Sequence, residues 1–145
     1  MCWMCEHPDK SYADYVEEVV LPTVELNGWA VQGSPSLTYT IGLTARGRPE
    51  LAVTGKPPEE AYDLIDAVLA GEQEPRAGDR CDLLTGPAVQ VVRVANPRRL
   101  RVARTLYGDR VTALQLVWAD TLGRWPWEKR SSQDLLGAVG LPIAS

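Results

Sequence analysis

"GWAVQGSPSLTYTIGLTARGRPELAVTG", residues 28–55, decides the fold. Three runs in it read as strands: Trp29–Gly33, Thr38–Leu43 and Glu50–Thr54. Each is rich in β-branched, aromatic or aliphatic residues. Turn signals at Gly33–Pro35 and Gly47–Pro49 separate them. A parallel connection needs a crossover of a dozen or more residues, and these links are too short. The spacing predicts an antiparallel meander.

Upstream, Ser11 followed by Asp14 resembles a helix N-cap with an acidic first turn. Tyr12, Tyr15, Val16, Val19 and Val20 recur at helical spacing, and Asn27-Gly28 is a stop. Pro22 removes a backbone donor inside this helix and is expected to kink it or end it early. Downstream, Pro58-Glu59-Glu60 opens a second helix with inner stripe Ala61, Leu64, Ile65, Val68 and Leu69. Gly71–Gly78 reads as a polar loop. Cys81–Leu84 and Val89–Val94 read as a hairpin around Gly86-Pro87. Asn96-Pro97 caps a third helix that runs to Tyr107 and stops at Gly108. Ala113–Trp118 is an apolar, central strand. Strands in runs, with helices between the runs, predict an α+β fold: a mostly antiparallel sheet of about five to six strands with three helices. Residues 1–128 form a single domain in this reading. Residues 129–145 form a loosely attached tail with one apolar cluster, Leu135–Leu141.

The chain of 145 residues has the length of one domain, with 45% hydrophobic and 23% charged residues. That is enough to bury a core without disulfides or metal. No apolar run reaches the roughly 18 residues of a membrane span, and the N-terminus lacks the pattern of a signal peptide. Three cysteines is an odd number. Without an export signal they read as reduced thiols in the cytoplasm.

The net charge of −4 divides unevenly: residues 1–75 carry −9 and residues 76–145 carry +5. Arg93, Arg98, Arg99, Arg101 and Arg104 would centre a basic surface on the second half. The favoured reading is a solvated helix face attracted to the acidic helices of the first half. A pI near 5.0 argues against nucleic acid as partner. Membrane is excluded on the same sequence grounds, while a small-molecule ligand and a homo-oligomer stay open.

The opening residues, "MCWMCEHP", place Cys2, Cys5 and the single histidine, His7, within six positions. Zinc takes thiolate and imidazole donors converging on one point, and Cys-x-x-Cys can supply two. His7 would be a third donor and Cys81 a distant fourth. Zinc suits this set better than iron. A carboxylate or water in the last place would leave a position open for chemistry. A dithiol redox role is the second reading, although Glu6 opposes thiolate formation and no strand precedes the pair. The third reading is packing, with "CWMC" filling an apolar groove.

No Gly-x-Ser-x-Gly, phosphate loop or Gly-x-Gly-x-x-Gly occurs in the chain, which excludes most nucleotide enzymes. "GRWPWE" sets Arg124 beside Trp125 and Trp127, a combination suited to stacking or anion binding, or to a hydrophobic clasp. Asp120, at the end of a buried strand, is a candidate general base or metal ligand, with turn formation as the alternative. Tyr39, Thr40 and Glu50 are further candidates.

"CWMCEHP", "GWAVQG", "YTIGL", "PELAVTG", "LYG", "ALQLVWAD" and "GRWPW", in that order, resemble the bacterial, largely actinobacterial, domain-of-unknown-function family numbered 4262. The family's opening reads Cys-Trp-x-Cys-Asp-His-Pro, and Glu6 stands here where Asp is usual. The resemblance implies no established activity.

These observations lead to a candidate site at Cys2, Cys5 and His7, with Asp120 as a further catalytic group. Trp3, Trp29, Tyr39, Arg124, Trp125 and Trp127 would line a pocket near it. A catalytic protein of this kind would be a small accessory enzyme acting on an apolar or aromatic metabolite. The alternative is a non-catalytic ligand-binding or protein-interaction module with a Trp-rich surface and a structural N-terminal plug.

Overall fold

A computed structural model describes residues 3–34, 36–71, 74–82, 88–126, 133 and 136. The strands are β1 (Ala30–Ser34), β2 (Leu37–Ile41), β3 (Glu50–Val53), β4 (Arg80–Asp82), β5 (Ala88–Arg93) and β6 (Ala113–Trp118). They form one sheet in the order β1-β2-β3-β6-β5-β4. The expected meander is present: Ala30 faces Ile41, and Tyr39 faces Ala52, both antiparallel. A second meander joins β4, β5 and β6, with Val89 opposite Trp118 and Arg93 opposite Leu114.

The two meanders meet through a parallel pairing of β3 with β6, from Glu50↔Ala113 to Ala52↔Gln115. The α+β class stands, and the sheet is mixed. Local turn lengths report only on neighbouring strands, whereas this seam joins segments some 60 residues apart. Its connection runs through α4 (Pro58–Leu69), β4, β5 and α5 (Arg101–Tyr107). Both seam strands are buried along their length, except for the partly exposed Trp118 at the end of β6. A centre covered on both faces suits the apolar runs "ELAV" and "ALQLVW".

The N-terminal helix begins as expected. The Ser11 N–H donates to the Asp14 carboxylate at 2.8 Å and the Asp14 N–H donates to the Ser11 hydroxyl at 3.2 Å. This reciprocal cap holds the Asp14 carboxyl below its ordinary value, the Ser11 backbone bond being the main cause. The chain continues from α2 (Tyr12–Tyr15) through a π-helical segment, Val16–Val20, into α3 (Leu21–Asn27). Pro22 neither ends nor breaks it. The Leu21 N–H bonds to the Val16 carbonyl, so the turn ahead of the proline is one residue wider than an α-turn. The wider turn makes room for a ring that would strike the carbonyl four residues back in a regular helix. Gly28, with φ 86°, ends the helix where Asn27-Gly28 predicted.

α4 spans Pro58–Leu69 as expected and covers one face of the sheet. Ala61, Leu64, Ile65 and Val68 pack there with Leu51, Val53, Val89, Val91, Leu114 and Leu116. The π segment, α3 and α5 contribute to the opposite core, with Tyr39, Ile41, Ala52, Val102, Ala103 and Ala113. Gln133 and Leu136, from the segment read as a tail, are buried against β6. The Gln133 amide accepts from the Trp118 N–H at 3.1 Å and donates to the Trp118 carbonyl at 2.7 Å. The Leu136 N–H donates to the buried Gln115 side chain at 2.9 Å. The Gln133 amide thus serves as a partner strand where β3 has left the ladder. Among the described residues no helix is long and apolar enough to cross a membrane.

Candidate functional site

The third helix is divided. Asn96 caps a 3₁₀ turn, Pro97–Arg99, by accepting from the Arg98 N–H at 3.2 Å. At Leu100 the backbone leaves helical geometry, with ψ 64°, and α5 then begins. Leu100 is fully buried and anchors the joint, while Val102 and Ala103 face the core. The Val102 N–H donates to the Tyr39 hydroxyl at 3.0 Å, which fixes the start of α5 to β2.

With 100, 102 and 103 turned inward, the arginines face out. Arg98, Arg101, Arg104 and Thr105 line a concavity of about 560 Å³. Arg99 and Arg101 line a second, of about 390 Å³, with Gln32, Gly33, Ser36, Leu37 and Tyr39. Arg101 belongs to both. Among the described residues, neither lining includes an acidic one. Among the described residues, Arg98 and Arg101 form no ion pair, and Arg104 pairs with Asp109 at 3.4 Å on the open surface. Among the described residues, none of these three arginines forms an ion pair with an acidic residue of the first half. Burial of Val102 and Ala103 turns Arg101 and Arg104 away from the core side of the helix. An exposed pair such as Arg104–Asp109 is worth at most about 1 kcal/mol, so an incoming anion can replace Asp109 at little cost.

Among the described residues, Tyr39, Trp29 and Trp125 lie in three separate core clusters. Cys5 is exposed in α1 (Trp3–Glu6), and His7 is partly buried just after it. Cys2 and Trp127 lie outside the described residues, as does the Trp3 side chain. Cys81 is partly buried in β4, in the core cluster on the α4 face. Among the described residues, no group of three or more His, Cys, Asp or Glu side chains is placed to hold a metal ion. Trp29 also belongs to the α4-face cluster and stacks on Tyr62, with ring centroids 5.6 Å apart. Trp125 is buried with Val92 and Val117, on the opposite face of the sheet. A tryptophan wall shared by Trp29 and Trp125 is thus not formed, because strand alternation sends their partners to opposite faces.

Asp120 organises its own turn. Its carboxylate accepts from the Leu122 and Arg124 backbone N–H groups and from the Arg124 guanidinium at 3.1 Å. Asp120 and Arg124 are therefore partners in the loop after β6. Tyr39 is buried and acts through its hydroxyl at the start of α5.

Glu50 is fully buried and saturated. Its carboxylate accepts from the hydroxyls of Thr40 (2.7 Å) and Thr44 (2.5 Å). It also accepts from the backbone N–H groups of Gly42, Leu43 and Thr44. Gly42, at φ 117°, takes the backbone geometry that aims these consecutive donors inward. Five donors leave this carboxylate a structural brace for the β2–β3 connection.

A mixed six-stranded sheet with helices on both faces, carrying an arginine-lined groove beside α5, defines a small α+β domain with a basic surface site. The chain belongs to the family described as domain of unknown function DUF4262, whose model matches residues 23–132. That span contains every described lining residue of the groove, while the opening Cys-x-x-Cys-x-His segment precedes it. No curated protein and no solved structure matches the chain.

The groove was half legible. The arginine run was visible in the sequence, and its spatial partners Gln32, Ser36 and Tyr39 were not. The signal available was the interval of buried residue types, Leu100, Val102 and Ala103, which leaves 98, 101 and 104 on one side.

Proposed function

We propose that this protein is a non-catalytic binding module for an anionic ligand, with the groove at Arg98, Arg99, Arg101 and Arg104 as its site. The observation that carries this reading is the gathering of four arginines around concavities whose described lining residues include no carboxylate. Guanidinium groups match phosphate and carboxylate oxygens with paired, charge-assisted hydrogen bonds. Arg98 and Arg101 form no ion pair among the described residues, so a ligand anion can offset their charge. The test is thermal unfolding in sodium phosphate against sodium chloride at equal ionic strength. The reading predicts a higher midpoint in phosphate that disappears in Arg101→Glu. Equal midpoints in the two salts would reject it.

The opening segment supports a second reading, a metal or thiol site at Cys2, Cys5 and His7. The observation in its favour is the exposure of Cys5 just before His7. An accessory enzyme acting on a small metabolite belongs to this reading. Elemental analysis of untagged protein, with thiol titration before and after chelation, tests it. About one zinc per chain, with thiols freed by the chelator, supports the site. Metal-free protein with slow thiols rejects it.

A further inference from the structure

We infer that a second pocket, at the stacked rings of Trp29 and Tyr62, binds a small protonated amine with an apolar body. The pocket has a volume of about 310 Å³ and lies where α3, the start of β1 and α4 meet. That is the lower end of the range for small-molecule sites. Thr23, Asn27, Trp29, Tyr62 and Asp66 supply its aromatic and polar lining. Its described lining shares no residue with the arginine groove, so the inference stands independently of the anion-binding reading.

The aromatic wall is set before any ligand arrives. The Trp29 and Tyr62 ring centroids are 5.6 Å apart with 26° between the planes. Two van der Waals contacts would need about 7 Å, so no group fits between the rings and a ligand meets an outer face. Trp29 packs against the core on the α4 side, which holds the pair in place. Tyr62 is 45% exposed and keeps ring surface open to the pocket. The faces of such rings carry negative potential and attract cations. Ala30 and Val31 add apolar lining for the body of the ligand.

The polar lining supplies acceptors. The Thr23 hydroxyl donates to the Val19 carbonyl at 2.8 Å, so towards a ligand its oxygen accepts. Asp66 adds a carboxylate four residues after Tyr62, on the same face of α4. The Asn27 amide oxygen is a further acceptor. A charged group with several N–H donors satisfies this set, and an anion does not. The surrounding field has the same sign. α3 and α4 carry Glu25, Glu59, Glu60, Asp63 and Asp66 and no Lys or Arg, and β1 is uncharged. Arg46, whose guanidinium packs over Gly28 between Asn27 and Trp29, offsets only part of this charge.

The test is an NMR titration of the full chain at neutral pH and constant ionic strength. It follows the Trp29 indole N–H, identified by its loss in Trp29→Phe. The probes are phenethylamine, which is protonated there, and its neutral counterpart phenethyl alcohol. The expected result is a saturable shift with phenethylamine, at least about tenfold tighter than with the alcohol. Asp66 is exposed, so Asp66→Asn keeps the fold and removes only the charge. It is expected to weaken the amine by at least about fivefold and to leave the alcohol within about twofold. Asp109→Asn, an exposed site after α5, changes the net charge equally and should leave amine affinity within about twofold. Phenethyltrimethylammonium keeps the charge, has no N–H, and is expected to bind more weakly than the amine. Tighter binding of this quaternary probe overturns the acceptor role of Thr23 and Asp66. Equal affinity for amine and alcohol overturns the inference, as does a missing saturable shift with every probe. Equal losses in Asp66→Asn and Asp109→Asn overturn the assignment to this pocket. Tighter binding of a capped Gly-Lys-Gly peptide than of phenethylamine overturns the small-molecule assignment.

Discussion

The backbone N–H of Val102 donates to the hydroxyl oxygen of Tyr39 at 3.0 Å, joining two residues 63 positions apart. Tyr39 stands on β2 and Val102 in the first turn of α5, and both are buried. This bond sets where α5 begins and hence where Arg101 points.

Tyr39→Phe keeps the ring in the core and removes the acceptor. The Val102 N–H is then buried without this partner, a loss of about 1–3 kcal/mol. Urea unfolding should show a lower midpoint with an unchanged slope. Anion affinity should fall with it, since the arginine face of α5 loses its anchor. A variant with unchanged midpoint and affinity would show that packing alone positions this helix.

Glu50→Gln tests the buried carboxylate. Glutamine keeps the shape but turns one acceptor oxygen into an NH₂ donor. That donor would face the N–H of Leu43 or those of Gly42 and Thr44, which already point at it. A donor set against donors in a dry site should cost roughly 2–4 kcal/mol. Chemical denaturation measures it. Stability within about 0.5 kcal/mol of the parent would mean that the cradle rearranges and is no brace.

Much of this architecture is legible in residue order, and the reasons for the exceptions are physical. The Ser11–Asp14 cap, the Gly28 stop, the Pro58 start and β6 at Ala113–Trp118 were all readable, because each depends on neighbours within a few residues. The β3–β6 seam was not, because nothing near Glu50 or Ala113 specifies a partner so distant. Nor was the wide turn ahead of Pro22, since proline alone says only that a regular helix is disfavoured there. In the site, composition revealed the basic run from Arg98 to Arg104. Its neighbours Gln32 and Ser36 come from the first hairpin and were brought there by sheet pairing. The tryptophans misled for a related reason: Trp29 and Trp125 share a residue type and sit on opposite faces.

Tyr107 gives a pH-dependent check on the same core. Burial raises its pKa above the ordinary 10.0, the nearby Glu50 charge adds to the rise, and Arg110 partly opposes it. The native state therefore holds the phenolic proton more tightly than the unfolded chain. This contribution to stability is fully present below pH 10.0 and declines as pH climbs through the raised native value. Difference absorbance titration of the protein against Tyr107→Phe should place the phenol's midpoint above 10.0. A midpoint at or below that value would place Tyr107 in water rather than against the core.

Gln133→Ala should expose the open side of β6. The side-chain amide of Gln133 occupies both the donor and the acceptor of Trp118. Without it these two backbone groups lose their bonds at a site that β3 no longer covers. The expected cost is about 1–3 kcal/mol, less if water enters. Hydrogen exchange is the sharper readout, because the Trp118 amide should exchange faster. Amides of β5 should change little, as their ladder to β6 is intact. Unaltered protection at Trp118 would mean that the Gln133 contact does not hold this end of the strand in solution.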